Sequence, residues 1–232
     1  MQDRYGIGQV IRIILFFCFV LAIPCGAAAQ GDENITVVTK TRLAVIPFMA
    51  LEPENSASTT VRCPLCGHVN SGGAVAQGAQ TNLEEIFISK LRELKNVEII
   101  APERAAGVYR RISSSSLKGS MLEAVQQTGR ELAADVVVAG FVYRCRERVG
   151  YSYSAKTPAS VSFEIHLISV KDGSSLWRGI FDRTQKSLME DLFLASSFFK
   201  GGAKWVTARE LTRLGVDEVF ETFPVFENQP GR

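Results

Sequence analysis

The sequence predicts an α/β fold: a mixed sheet with an antiparallel hairpin section, packed by helices and followed by carboxy-terminal helices. Three observations lead there. Apolar runs of strand length alternate with helical periods in the order β-α-β-α-α-β-β-β. One run, Val136–Gly140, is continuously apolar, as a strand covered on both faces is. Asp172-Gly173 stands between two alternating runs, which is the signal of a tight hairpin.

Thr41–Phe48 (TRLAVIPF) is branched and apolar and reads as the first strand. Residues 49–80 carry no helical period. A stretch this long without structure is uncommon in a compact domain, so it reads as a functional or mobile loop. Leu83, Ile86, Phe87, Leu91 and Leu94 then share one helical face, with Thr81 or Asn82 as the cap. Val97–Pro102 is a short strand stopped by proline. Glu103–Ile112 is a helix, Ser113–Ser116 a turn, and the next helix faces the core with Leu122, Val125 and Leu132.

Along the strand that follows, alternation puts Phe141, Tyr143 and Cys145 on one face and Val142, Arg144 and Arg146 on the other. After a polar connection, Val149–Pro158, comes SVSFEIHLISV. There Val161, Phe163, Ile165 and Leu167 point inward, while Ser162, Glu164 and His166 form a polar, solvated face. The last quarter reads as helical: Ser187–Phe199, then a segment around Ala208–Leu214, then one ending near Phe223-Pro224. In the first of these, Leu188, Leu192, Ala195 and Phe199 form a stripe, with Phe193 and Phe198 beside it, that reads as burial against the sheet or as a partner surface.

The amino terminus reads as an export signal. Arg4 and Arg12 precede an 11-residue apolar run, Ile13–Ile23, which Pro24 ends before Ala27-Ala28-Ala29. The run is shorter than the roughly 20 residues that span a bilayer, so cleavage is expected. Cys25 follows Pro24 and is a poor lipid acceptor. The expected organisation is a signal peptide over 1–29, a flexible segment over 30–40, an α/β envelope domain over 41–185 with its loop at 49–80, and a helical extension over 186–232. Without residues 1–29 the chain has 24 basic and 23 acidic residues. That balance provides no electrostatic footprint for nucleic acid.

Export leaves Cys63, Cys66 and Cys145, an odd number in a compartment that permits disulfides. Cys63-Pro64-Leu65-Cys66-Gly67-His68 is the chain's one chemical motif. Haem attachment needs His directly after the second Cys, and Gly67 stands there. A thiol–disulfide catalyst needs its pair at a helix start, which the residues after Cys66 do not provide. The pair therefore reads first as a local Cys63–Cys66 disulfide, or a free thiol pair that tightens a loop. The alternative is a zinc knuckle, with His68 and Cys145 completing the site or with two chains sharing one metal. Cys145 reads as a buried structural thiol and His166 as a solvated imidazole. No catalytic residues and no cofactor are expected, zinc belonging only to the alternative reading.

RLAVIPF, VEIIAP, ELAADVVVAGFV and VSFEIHLISVKDGSSLWRG together resemble a family of bacterial envelope proteins. It includes the curli-secretion lipoprotein (CsgG-like), the TolB amino-terminal domain and the lipoprotein activators of penicillin-binding proteins. The resemblance covers roughly residues 40–185 and rests on fold residues rather than a catalytic signature. It implies a non-enzymatic periplasmic protein, attached to the outer membrane or free, that binds other envelope proteins or itself in assembly, transport or regulation. A metal-binding or thiol-redox protein built on Cys63 and Cys66 is the competing class. An oligomeric secretion channel is disfavoured, because Arg146–Pro158 is too short and polar to supply membrane strands.

Overall fold

The longest strand organises the fold, because its first half is buried on both faces and everything else packs around it. A computed structural model describes residues 38–55, 58–115, 119–152, 154–185, 205–226 and 229–230. The strands are β1 (Val38–Thr39), β2 (Thr41–Val45), β3 (Met49–Ala50), β4 (Thr60–Arg62), β5 (Val69–Ser71), β6 (Val97–Ile99), β7 (Val136–Arg146), β8 (Val149–Tyr151), β9 (Ser154–Thr157), β10 (Ser160–Ser169), β11 (Ser175–Thr184) and β12 (Gln229–Pro230). The helices are α1 (Ala79–Leu91), α2 (Pro102–Ser115), α3 (Met121–Glu131) and α4 (Ala208–Phe220).

The main sheet runs β11-β10-β7-β2-β6, and β3 adds a sixth strand by pairing with β7. β10 is antiparallel to β7 and β11, whereas β2 is parallel to β6 and β7. The sheet is mixed, with the antiparallel hairpin at Asp172-Gly173 as expected. Asp172 Oδ1 accepts from the Ser174 amide at 3.0 Å, and Gly173 takes φ +76° in that turn. Asp135 joins the parallel half: its Oδ2 accepts from the Arg42 amide at 2.8 Å, and its own amide donates back to the Arg42 carbonyl.

Helices cover both faces. Leu83, Phe87 and Leu91 of α1 and Leu211, Val216 and Val219 of α4 share one core with Leu43, Val138, Phe163, Ile165 and Phe181. Ala105, Tyr109 and Ile112 of α2 and Ala124 and Val125 of α3 share the other with Ala44, Val137, Ala139 and Phe141. Capping boxes start α3, from Ser120 and Glu123, and α4, from Thr207 and Glu210. α1 starts earlier than its sequence suggests: Gly78, at φ +76°, is its cap, and Thr81 and Asn82 lie inside the helix.

Other differences have local causes. The register between β7 and β10 slips between Ser162 and Phe163, so β7 carries an extra residue at Tyr143. This bulge inverts the alternation beyond it. Cys145 therefore packs in the α1/α4 core with Val161, while Phe141 and Tyr143 face the other side. The 49–80 segment is not structureless. It contributes β3 to the sheet and folds β4 and β5 into an antiparallel hairpin. Strands of two or three residues leave no period to read. Residues 1–29 and the Ser187–Phe199 stripe lie outside the described residues. Among the described residues no helix is long and apolar enough to cross a membrane.

Candidate functional site

The face of β10 that carries Ser162, Glu164 and His166 is buried, not solvated. Glu164 is 0% exposed and His166 1%. Alternation shows only that these side chains share a face; it cannot show what covers that face. The cover is the β4–β5 hairpin, whose turn is the Cys63–His68 motif.

The knuckle forms for local reasons. Gly67 adopts φ +73°, its amide donates to the Cys63 carbonyl at 2.9 Å, and the Cys63 amide donates to the His68 carbonyl at 2.7 Å. In this tight turn the amides of Leu65 and Cys66 are directed at the Cys63 sulfur and that of His68 at the Cys66 sulfur. Amides aimed at sulfur favour thiolates, which is what a metal requires.

Cys63, Cys66, Glu164 and His166 converge. One ligand atom from each lies within 4.8 Å of all the others. Cys63 Sγ is 3.4 Å from His166 Nε2, Cys66 Sγ is 3.3 Å from Glu164 Oε1, and His166 Nε2 is 3.0 Å from that same oxygen. A tetrahedral zinc with ordinary bond lengths would separate sulfur from nitrogen by about 3.5 Å and nitrogen from oxygen by about 3.3 Å. The four donors are thus spaced as the corners of one coordination shell. Two thiolates, an imidazole and a carboxylate suit zinc among the divalent cations.

The surroundings orient the carboxylate. Tyr143 Oη and Asn70 Nδ2 each donate to Glu164 Oε2 at 2.9 Å, which leaves Oε1 facing the thiols and the imidazole. Arg178 Nε approaches Oε1 to 2.5 Å as an ion pair. Burial would raise the Glu164 carboxyl, but His166, Tyr143 and Asn70 together bring it down to about 2. Burial opposes the charge on His166 too, and Cys63 and Glu164 outweigh it, raising the imidazole to about 8. Cys63 falls to about 7: burial pushes it up, and His166, the knuckle amides and Tyr143 prevail. Burial pushes Cys66 up to about 11, and Cys63 and Glu164 reinforce it against the His68 amide.

A cysteine-nucleophile reading fails on the same geometry. A nucleophile–base–orienter triad places its carboxylate on the ring nitrogen away from the nucleophile. Here Cys63 and Glu164 both meet Nε2, and Cys63 is buried. Donors crowding one nitrogen from several sides suit a bound cation better than a proton path.

Of the residues expected from the sequence, the structure brings Cys63 and Cys66 together with the sheet. It leaves His68 exposed and outside the group, and it places Cys145 in the opposite core. Cys63, Cys66 and Cys145 are all free thiols in the structure. Glu164 and His166 take the places considered for His68 and Cys145. The available signal was their spacing: two residues apart on a strand, they share a face about 7 Å apart, within reach of one ion.

No family model matches the chain, and no curated protein matches it. Among solved structures it is similar to the PelC dodecamer from Paraburkholderia phytofirmans, with 13% identity over 83% of this chain and 93% of that one, at a TM-score of 0.46. It is also similar to lipoprotein GNA1162 from Neisseria meningitidis, with 11% identity over 70% and 99% and a TM-score of 0.40. The LpoB carboxy-terminal domain from Escherichia coli follows, with 12% identity over 67% and 90% and a TM-score of 0.36.

Proposed function

We propose that this chain is a non-enzymatic metalloprotein of the bacterial envelope, in which zinc held by Cys63, Cys66, Glu164 and His166 pins the β4–β5 hairpin to the sheet. The observation that carries the reading is the convergence of four ligand atoms within 4.8 Å from two segments about a hundred residues apart in sequence. A closed four-protein-ligand shell has no open position for substrate, which marks a structural rather than a catalytic site. The pinned hairpin fixes a surface through which envelope partners, or a second copy, would be bound. The envelope setting rests on the export signal read in residues 1–29 and on the family resemblance of roughly residues 40–185.

Native and denatured intact-mass spectrometry of protein purified from its host tests the reading. One zinc per chain is expected, lost on His166→Ala and on the double change Cys63→Ser/Cys66→Ser. Chelation should lower the melting temperature of the unaltered protein but not of the double variant. A mass two hydrogens short with no metal would overturn the proposal and leave a Cys63–Cys66 staple in its place.

A further inference from the structure

Arg178 is hard to reconcile with a permanent metal staple. It lies on β11 directly opposite His166, and its guanidinium reaches across to Glu164. The oxygen it meets at 2.5 Å is Oε1, which also faces His166 Nε2 and Cys66 Sγ. A metal bound there would share one carboxylate oxygen with a guanidinium, and two cations on one oxygen repel. The contact is a charge contact alone, since Arg178 Nε is buried and makes no aligned hydrogen bond. The side chain as a whole is nevertheless 31% exposed, which gives it a route out.

We propose that Arg178 is a built-in competitor for the metal: it is the counter-ion of Glu164 in the metal-free protein and is displaced, or held at a Coulombic cost, when a divalent cation binds. The inference rests on metal binding by Cys63, Cys66, Glu164 and His166, and it adds that the site is tuned for exchange. Without Arg178 the metal-free protein would bury Glu164 with His166 as its one charged neighbour among the described residues, and binding a dication would relieve that charge more fully. With Arg178 the metal-free state is stabilised and affinity is lowered. The cation class follows from the donors: two thiolates, an imidazole and a carboxylate suit a zinc-like dication. Displacement turns the guanidinium out beside Ile180, which is exposed two residues along the same face of β11.

The test reads in an unusual direction, because removing a residue should tighten binding. The exported chain is titrated with zinc against a chromophoric chelator, as wild type, Arg178→Gln, Arg178→Lys and Cys63→Ser/Cys66→Ser. Arg178→Gln should bind at least about tenfold more tightly than wild type, and Arg178→Lys close to it, because charge is what matters. The metal-free Arg178→Gln protein should melt below metal-free wild type, and zinc should bring the two together. Equal or weaker zinc binding by Arg178→Gln, or equal metal-free melting, overturns the proposal while leaving the metal site intact. No zinc uptake by wild type, or equal uptake by the double cysteine variant, overturns the metal reading itself. Should the Gln variant not fold, Arg178→Met keeps the stem and removes the charge.

Discussion

Glu164, with none of its side chain exposed, meets Cys66, Asn70, Tyr143, His166 and Arg178. A buried carboxylate survives only with partners, and each can be removed singly. Tyr143→Phe deletes one hydroxyl and keeps the ring against Phe141, 6.4 Å away. A hydrogen bond to a charged acceptor is worth about 1.5–3 kcal/mol, so chelated protein at pH 7 should lose about that much in urea unfolding. The sign of the pH dependence follows from Glu164. In the folded chain its carboxyl stays ionised down to about 2, against a usual 4.5. Its stabilisation is therefore present above pH 4.5 and lost as pH falls toward 2. The cost of Tyr143→Phe should shrink across that window, and a cost independent of pH would mean that the hydroxyl serves another group. The cysteine half of this site was legible in the sequence because a knuckle is local: Pro64 and Gly67 shape it alone. The other half was not, because period-2 alternation marks a face without saying what lies over it.

At the level of elements, the hairpin is held in two ways. Near its base, backbone groups do the work: the Gly73 amide donates to the Tyr143 carbonyl at 3.0 Å, and the Ala76 and Cys145 amides make bonds of 2.9 and 3.1 Å across the Val75–Cys145 bridge. At its tip, the bonds to the sheet come from the side chains of Cys63, Cys66 and Asn70. Chelation should therefore speed amide exchange over residues 62–70 and leave 73–76 slow, as hydrogen–deuterium exchange would resolve. Uniform change, or none, would show that metal does not hold the tip. The same region limits what a sequence reveals about elements. β3, β4 and β5 are too short for periodicity, and the Tyr143 bulge reverses the facing of every residue after it. The long, apolar elements, β7 and β10 among the strands and α1 and α3 among the helices, were legible because their patterns run for several turns or pleats.

Across the whole molecule, the question is whether residues after 185 are an appendage or part of the fold. The sequence resemblance stops near residue 185, which suggests an extension. The packing says otherwise for α4 and the turn after it. Phe220 lies 5.1 Å from Phe87 of α1 and 4.6 Å from Phe223, and Phe223 meets Trp177 of β11 at 5.1 Å. Asn96 Nδ2 donates to the Phe226 carbonyl at 3.0 Å, which ties the end of this segment beside β6. At Gly215 the helix comes so close that an added Cβ would fall 2.6 Å from the Phe181 ring and 2.8 Å from Phe163. Contact that close makes α4 one wall of the α1/α4 core, so its removal uncovers Phe87, Phe163, Trp177 and Phe181 together. Losing four large contacts at about 1.5–3 kcal/mol each is comparable to the whole of the roughly 5–15 kcal/mol that holds a domain folded. A chain ending at Gln185 should therefore lose its cooperative thermal transition and bind a hydrophobic dye, whereas the longer chain melts in one step. If the truncated chain melted cooperatively near the same temperature, α4 would be a docked extension, and the sheet with α1, α2 and α3 would suffice as the folding unit.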